Sequence, residues 1–357
     1  MACGASPPSE PPLQLSRRAQ AFINGGDDRL EYFELTEGQR GALQQFTVAL
    51  MTSGAAEALL DGDLGALPTW GEADQLCDDQ PFVNQPSAAF CSGVLLDWDL
   101  VLTSGHCVSA VPLSELRVVF GYYYETPGEL ALSKPDVYQP ARVVASRRDE
   151  GAAGERLDFA WLQLKSMAQA PHRPAAAYTR SSGARERAPV ISIGAGGGVP
   201  LKWDQGAEVQ DTRAGFDDYF VADTDTSQGS SGGGIFDERL AVLGSLARGA
   251  PDFTRTAEGC YVTNTEPDPD AAQEQFTYVH RAVAALCEAG SDSVLCDPAC
   301  DEPCGSDQPA LELRAGDDGG CSLGPRGARR HMPAALTLAA LTGLVLARRG
   351  SVRERRS

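Results

Sequence analysis

Histidine and basic residues are scarce in this sequence. Its 357 residues include only four histidines, and 49 aspartates and glutamates outnumber 30 lysines and arginines, which gives a net charge of −19. Nucleic-acid phosphates are held by Lys and Arg, so an acidic chain of this kind is unsuited to bind DNA or RNA. The acidic surplus favours solubility.

The sequence also lacks a clear metal motif and a complete signal peptide. Cys296, Cys300 and Cys304 follow a C-x3-C-x3-C spacing without a nearby histidine, so we expect no zinc, no other metal and no cofactor. No charged region followed by an apolar stretch opens the chain. Ala2-Cys3-Gly4 resembles the end of a bacterial lipoprotein signal, and a chance cysteine in a proline-rich leader is the equal alternative.

Long helical patterns are rare, whereas turn residues and short apolar runs are common. The chain has 38 glycines and 23 prolines, and 42% of its residues are hydrophobic, which favours a packed all-β body. Short runs of apolar and β-branched residues, separated by turn residues, are typical of antiparallel barrels or sandwiches. These runs are Phe46–Met51, Gly93–Leu96, Leu100–Thr103, Leu116–Phe120, Ala141–Val144, Asp158–Leu164, Pro189–Ile193, Tyr219–Ala222 and Leu240–Leu246.

The composition changes along the chain and predicts four parts. Residues 1–20 read as a leader, 21–290 as the globular body, 291–320 as an acidic, cysteine-rich stalk and 321–357 as a separate tail. Within the body, the Pro- and Ala-rich stretch at 165–188 predicts a connection between two halves. Apolar residues at helical spacing within Ala271–Ala289 predict one helix, which Gly290 can end.

Ten cysteines are many for a reducing cytosol and ordinary for an exported protein. Cys91 and Cys107 lie 16 residues apart. Two strands joined by a short turn between them would bring the thiols together, so we expect a disulfide that fixes the loop with His106. If Cys3 and Cys321 serve as anchor sites, eight cysteines remain. The connectivity of the six beyond Cys91–Cys107 stays open, with about 15 possibilities.

Three segments together provide the groups that acyl transfer by serine requires. Gln228-Gly229-Ser230-Ser231-Gly232-Gly233 offers a hydroxyl in a glycine-rich turn, where the amides of Gly229 and Ser231 could form an oxyanion hole. His106 follows an apolar run and could act as the base. Asp158 opens an apolar strand, where a buried carboxylate requires a partner such as His106.

In this order, His106-Cys107, Asp158-x-Ala-x-Leu and Gly229-x-Ser231-Gly-Gly resemble the chymotrypsin/trypsin superfamily over roughly residues 21–290. The resemblance implies two antiparallel six-stranded β-barrels and a C-terminal helix. His106 and Asp158 would come from the first barrel and Ser231 from the second. The function implied is a serine endopeptidase that acts on proteins or peptides, and we expect a monomer.

The chain is closest in this respect to bacterial members of the glutamyl-endopeptidase type. The glycine-rich stretch from Gly194 to Lys202 and the run Asp223-Thr224-Asp225-Thr226 resemble theirs. The chain departs from animal-type members at Ser230, where they place the aspartate that pairs with a freed N-terminus. That activation switch is therefore not expected here.

The resemblance also implies a substrate pocket formed by Asp225, Thr226 and Gly249. Asp225 lies six residues before Ser231, at the position that forms the pocket floor in trypsin-like enzymes, and a carboxylate there favours Arg or Lys before the scissile bond. Thr226 matches a residue that glutamyl endopeptidases use for acidic side chains, and Arg248 could neutralise Asp225 or face the pocket itself. Preferences for acidic residues and for small or apolar residues therefore stay open.

Two other functions fit parts of the pattern. Gly229-x-Ser231-x-Gly233 also matches the nucleophile elbow of α/β-hydrolase esterases, in which His280 would follow Asp252 or Asp268; the strands alternating with long helices that this fold needs are not evident. A catalytically inactive trypsin-fold protein could act as a surface binding module, although all three triad positions are filled. His172, His280 and His331 are interpreted as structural or solvated.

The tail predicts a location at the cell surface. Met332–Ala347 is apolar and uncharged, but as a helix it would span about 24 Å, short of a hydrocarbon core of about 30 Å. Cys321 precedes it and Arg348-Arg349 follow it, an arrangement that resembles the MYXO-CTERM sorting tail. An ordinary, marginal membrane anchor is the alternative. Either way we expect an exported protein, either secreted or held at the membrane by this tail.

Overall fold

The computed structural model describes residues 23–24, 26–149, 155–266 and 274–305, and these are mainly β-structure. The strands are β1 (Ile23–Asn24), β2 (Thr47–Thr52), β3 (Ala89–Asp97), β4 (Leu100–Thr103), β5 (Leu116–Val119), β6 (Tyr124–Thr126), β7 (Glu129–Leu130), β8 (Val137–Tyr138), β9 (Pro140–Arg148), β10 (Asp158–Leu164), β11 (Pro189–Gly194), β12 (Lys202–Asp211), β13 (Tyr219–Ala222), β14 (Gly234–Phe236), β15 (Val242–Arg248), β16 (Phe253–Arg255), β17 (Tyr261–Thr263), β18 (Thr265–Glu266) and β19 (Glu274–Tyr278). The α-helices are α1 (Glu37–Gln45), α2 (Ser53–Leu60), α3 (Trp70–Asp74) and α4 (Val279–Glu288).

Two large sheets form the body. The first has seven strands in the order β8-β5-β2-β3-β4-β10-β9, and the second is a closed barrel of six strands in the order β11-β12-β13-β19-β15-β14. Within both sheets every pair of neighbouring strands is antiparallel. Each apolar run singled out in the sequence overlaps a strand. The segment 165–188 connects β10 of the first sheet to β11 of the barrel.

The expected fold class, an all-β chain of the chymotrypsin two-barrel type, is confirmed. The first half differs in detail, because its described strands form a seven-stranded half-barrel rather than a closed six-stranded barrel. Both halves bury large side chains: Trp161 and Phe120 lie in the first and Phe220 and Phe276 in the second, each at most 1% exposed. Burial of apolar area on this scale is the main driving force for folding.

The C-terminal helix is shorter than the sequence predicts. Residues 274–278 are strand β19, which pairs with β13 and β15 to close the barrel, and α4 begins only at Val279. The prediction of a helix across Ala271–Ala289 was wrong for this part because Phe276 has a place in the barrel core, and this tertiary contact outweighs local helical spacing. Gly290 follows the end of α4 with a φ of +80°.

Four disulfides stabilise the described residues, as the cysteine count led us to expect. They join Cys77 to Cys260, Cys91 to Cys107, Cys287 to Cys296 and Cys300 to Cys304. The first joins the segment after α3 to the residue that precedes β17, across 183 residues of chain. Such bonds persist in oxidising compartments, which fits an exported protein.

The cysteine-rich segment expected to be a stalk is folded onto the body as far as residue 305. Cys304 and Ala177 exchange backbone hydrogen bonds of 2.8 and 2.7 Å. Glu302 accepts hydrogen bonds from the backbone of Arg180 and from the hydroxyls of Thr179 and Ser181. Residues 306–320 of the expected stalk, the leader and the tail with its apolar stretch 332–347 lie outside the described residues.

Among the described residues, no helix has the length and apolar character needed to cross a membrane.

Candidate active site

His106 and Asp158 are joined by two hydrogen bonds. Nδ1 of His106 lies 2.9 Å from Oδ2 of Asp158, and the backbone N–H of His106 donates to Oδ1 at 3.1 Å. The Asp158 side chain is 6% exposed and that of His106 is 27% exposed. One carboxylate oxygen therefore orients the imidazole and the other holds the main chain of the same residue, while the histidine side chain remains partly accessible.

The pairing of two neighbouring strands brings these residues together. β10 pairs with β4, with Ala160 opposite Thr103, so the start of β10 lies beside the loop that carries His106. Gly105 in that loop allows the close approach, because a Cβ there would lie 2.3 Å from the carbonyl oxygen of Arg147 and 3.0 Å from Oδ1 of Asp158. Thr277 of β19 adds a bond from the barrel, since its hydroxyl accepts from the Asp158 N–H at 3.1 Å.

The Cys91–Cys107 disulfide attaches the same loop to β3. Cys107 directly follows His106 and is fully buried, and Cys91 is 3% exposed. The loop is therefore fixed by a covalent link next to His106, and the imidazole ring by its hydrogen bond to a carboxylate. This rigidity is what a general base needs in order to meet its partner in one geometry.

Ser231 lies in a loop that both halves of the body support. Its carbonyl accepts a hydrogen bond from the N–H of Ser92 in β3 at 2.7 Å, and the N–H of Gly232 donates to the carbonyl of Leu246 in β15 at 2.8 Å. The hydroxyl of Ser104, from the histidine loop, donates to the same Leu246 carbonyl at 2.5 Å. The loop that carries Ser231 and the loop that carries His106 are thereby held next to each other by one carbonyl group of β15.

Gly229 requires the conformational freedom of glycine. Its φ is +107°, and a Cβ there would lie 2.4 Å from the carbonyl oxygen of Ala195. The Ser92 hydroxyl donates to the Gly229 carbonyl at 2.8 Å and accepts from the Ala195 N–H at 2.8 Å. The glycine-rich stretch after β11 and the Ser231 loop are therefore joined through one buried serine of the first sheet.

A cavity of about 290 Å³ contains the three proposed triad residues in its lining. The other lining residues include two arginines, Arg148 and Arg248, and one further carboxylate, Asp149. The lining residues are Phe90, Cys91, His106, Ala110, Arg148, Asp149, Asp158, Gln228, Ser231, Ala247 and Arg248. A cleft of this size with a His–Asp pair and a serine hydroxyl can support proton transfer and nucleophilic attack.

Comparison with known families identifies the region that contains this cleft. Residues 91–244 match the family described as "Trypsin-like peptidase domain". These residues, which make up less than half of the chain, are similar to a trypsin-like peptidase domain. The matched region contains all three residues of the proposed triad. No curated protein matches the chain.

Solved structures similar to this chain are distant in sequence. The Vibrio cholerae VesB protease is 18% identical, with 67% of this chain and 62% of that chain covered and a TM-score of 0.40. Neuropsin, a serine protease of mouse brain, is 16% identical, with 70% and 95% covered and a TM-score of 0.45. A scabies mite inactivated protease paralogue is also 16% identical, with 72% and 99% covered and a TM-score of 0.45. Likenesses this distant add nothing on the substrate or activity of this chain.

Asp225 does not line the cavity beside His106. Its carboxylate accepts hydrogen bonds from the N–H of Asn24 at 2.7 Å and the N–H of Asp28 at 3.3 Å, and it borders a separate cavity of about 10 Å³. Thr226 and Gly249 are not among the lining residues of the larger cavity either. A carboxylate with these hydrogen bonds is not available to bind the side chain of a substrate. Asp225 therefore no longer supports the expected preference for Arg or Lys before the scissile bond.

The surroundings of Asp225 are rich in acid. One carboxylate oxygen from each of Asp28, Asp204 and Asp225 lies within 4.8 Å of the others. Burial raises the pKa of Asp225 to about 7, although the hydrogen bond from Asn24 and the charge of Arg29 oppose this shift. Burial together with the charge of Asp225 raises the pKa of Asp204 well above its usual range. Carboxylates so close together do not all ionise at neutral pH.

Two of the other histidines serve structural roles, as their sequence contexts predict, and a third lies outside the described residues. His172 is buried, with Nδ1 2.9 Å from the carbonyl oxygen of Gln44 and Nε2 3.0 Å from Oδ1 of Asp136. His280 lies on α4, with Nε2 3.0 Å from Oδ2 of Asp217, and does not line the cavity. The esterase interpretation requires His280 to act on Ser231, and His280 does not lie where it could do so. His331 lies beyond the described residues.

Sequence reasoning missed one group near the site. Ser92 follows Cys91 in an ordinary strand, and nothing in its local pattern indicates its bonds to Gly229 and Ala195. Arg248, which we expected either to neutralise Asp225 or to face the pocket itself, lies in the lining of the cavity beside His106.

Proposed function

We propose that this chain is a serine endopeptidase in which Ser231 is the nucleophile, His106 the general base and Asp158 the residue that orients the base. The observation that carries the proposal is the bonding of both Asp158 oxygens to His106 in the lining of a cavity to which Ser231 also contributes. The match to a trypsin-like peptidase domain supports the same reaction class.

The tautomer of His106 follows from its contact with Asp158. A neutral imidazole that donates Nδ1–H to the carboxylate leaves Nε2 with a lone pair, which can accept the proton of the Ser231 hydroxyl. The hydroxyl oxygen then attacks the substrate carbonyl and forms an acyl-enzyme, and the protonated imidazole gives its proton to the leaving amine. Water then attacks the acyl-enzyme and gives a proton to His106, which returns it to the Ser231 oxygen as the carboxylic acid leaves.

The oxyanion that forms during attack needs amide donors. We assign this role to the backbone N–H groups of Gly229 and Ser231, because the left-handed turn at Gly229 and the hydrogen bonds at Ser92 and Gly232 hold this loop in one conformation. Donors fixed before the reaction stabilise the transition state without a cost of reorganisation.

Labelling with a fluorophosphonate probe, followed by peptide mapping, tests the chemistry directly. We expect the modified residue to be Ser231 and the labelling to disappear in a His106→Ala variant. An unlabelled protein that also fails to cleave casein would instead support the inactive binding module. Label on a different serine would overturn the assignment of the nucleophile.

We further propose that the mature protein is held at the cell surface through residues 321–357. The support is the order of Cys321, the apolar stretch Met332–Ala347 and the arginines that follow. Deletion of residues 321–357 should release active enzyme into the medium. Retention of the truncated protein by the cells, or a cytosolic full-length protein, would refute this location.

A further inference from the structure

Arg248 stands out among the charged groups that line the active-site cavity. It is the last residue of β15 and follows Ala247, which also lines the cavity. Its Nη2 donates to two backbone carbonyls, that of Arg156 at 2.9 Å and that of Asp149 at 3.4 Å. These neutral acceptors position the guanidinium without neutralising it.

The other end of the guanidinium is unsatisfied. Nη1 of Arg248 is buried and has no hydrogen-bond partner within the described part of the chain. Burial lowers the pKa of Arg248, while the charge of Asp158 opposes this shift, and a guanidinium remains protonated at neutral pH. A buried cation with unused donors costs free energy, which an incoming anion would recover.

The carboxylates of the cavity already have partners. Asp158 holds His106 through both oxygens. Asp149 pairs with Arg147 at 3.0 Å and accepts from the N–H of Leu157 at 3.2 Å. Within the described residues, the hydrogen bonds of these two acids are thus made to other groups, and Nη1 of Arg248 remains an unpaired donor in a residue that lines the same cavity as the proposed triad.

We infer that Arg248 is a specificity-determining residue that binds the carboxylate of an acidic substrate residue, aspartate or glutamate, close to the scissile bond. A planar guanidinium can donate two parallel hydrogen bonds to a carboxylate, which gives geometric selectivity as well as attraction. The inference rests on the proposed peptidase function. It replaces the basic preference that Asp225 led us to expect.

The test uses the full chain and peptides that differ at one position near the scissile bond, with Glu, Gln or Lys in turn. We expect one position at which kcat/KM for Glu exceeds that for Gln by roughly 10- to 100-fold, the range of a charge-assisted hydrogen bond. In Arg248→Gln this ratio should fall towards one, and in Arg248→Glu the Lys peptide should become the preferred substrate. Arg142→Gln, an exposed arginine of β9 outside the cavity, is the matched control and should keep the wild-type ratio.

A binding measurement separates specificity from catalysis. In a Ser231→Ala background, titration calorimetry should show tighter binding of the Glu peptide than of the Gln peptide, and a second change of Arg248→Gln should remove the difference. Equal wild-type rates for Glu and Gln peptides at every position tested would overturn the inference and leave the peptidase function standing. A protein that neither cleaves these peptides nor takes up the fluorophosphonate label would instead refute the function, and the inference with it.

Discussion

His106 and Asp158 meet through two different atoms of the histidine, the ring nitrogen Nδ1 and the backbone N–H, one on each carboxylate oxygen. The second bond fixes the histidine loop as well as the ring, so Asp158 positions the base and its main chain together. The Thr277 hydroxyl, which both accepts from the N–H and donates to the carbonyl of Asp158, links this pair to the barrel.

Loss of the nucleophile or the base should remove activity without unfolding the protein. We expect Ser231→Ala and His106→Ala each to lower kcat by roughly 10⁶-fold, because the two groups act as one unit. The measurement is peptide hydrolysis at saturating substrate, with circular dichroism to verify the fold. Ser230→Ala is the matched control and should still be labelled by a fluorophosphonate; near-wild-type turnover by Ser231→Ala would contradict the assignment.

The carboxylate of Asp158 should matter because it orients His106, and not simply because it adds a negative charge to the cavity. In Asp158→Asn the side chain can donate a hydrogen to Nδ1, which leaves the wrong tautomer at Nε2, so we expect kcat to fall by about 10⁴-fold. Asp149→Asn changes a second carboxylate of the same cavity, one that bonds to Arg147 and Leu157, and should retain activity within about tenfold. Equal losses in the two variants would contradict a special role for Asp158.

Asp225 should make stability depend on pH. Its pKa is about 7 in the folded protein against an ordinary value of 3.8, so between about pH 4 and pH 7 the folded state binds more protons than the unfolded state at this site. The contribution to stability is thus present below about pH 4 and is lost as the pH rises through about 7. The difference in unfolding free energy between pH 5 and pH 8, measured by urea denaturation, should be smaller in Asp225→Asn than in the wild type. An unchanged difference would mean that Asp225 ionises normally.

The disulfides should differ in their contribution to stability according to the loops that they close. Cys77–Cys260 spans 183 residues and Cys300–Cys304 spans four. On the chain-entropy model, replacing both cysteines by alanine should lower the free energy of unfolding by about 5 kcal/mol for the first pair and about 2 kcal/mol for the second. Denaturant titration of the two double variants measures the difference, and a larger loss from the Cys300–Cys304 variant would argue against the entropic explanation.

Local patterns in the sequence indicated the candidate triad and many of the strands, but not the barrel strands β12, β14 and β19. Apolar runs separated by turn residues indicate which segments can be buried as strands. Every run that we singled out overlaps a strand of the structure. Where local spacing competed with a tertiary contact, as at Phe276, the tertiary contact determined the structure and the expected helix became strand β19.

The sequence by itself determined the chemical groups at hand: one histidine beside a cysteine, one aspartate at the start of an apolar strand and one serine among glycines. Only the tertiary structure decided which of these groups meet, because their contacts span tens to hundreds of residues and depend on the pairing of strands. The same long-range packing placed Asn24 and Asp28 on Asp225 and left Arg248 in the cavity. Local sequence cannot specify such neighbours, since a side chain's charge is encoded at its own position whereas its partners are set by the fold of the whole chain.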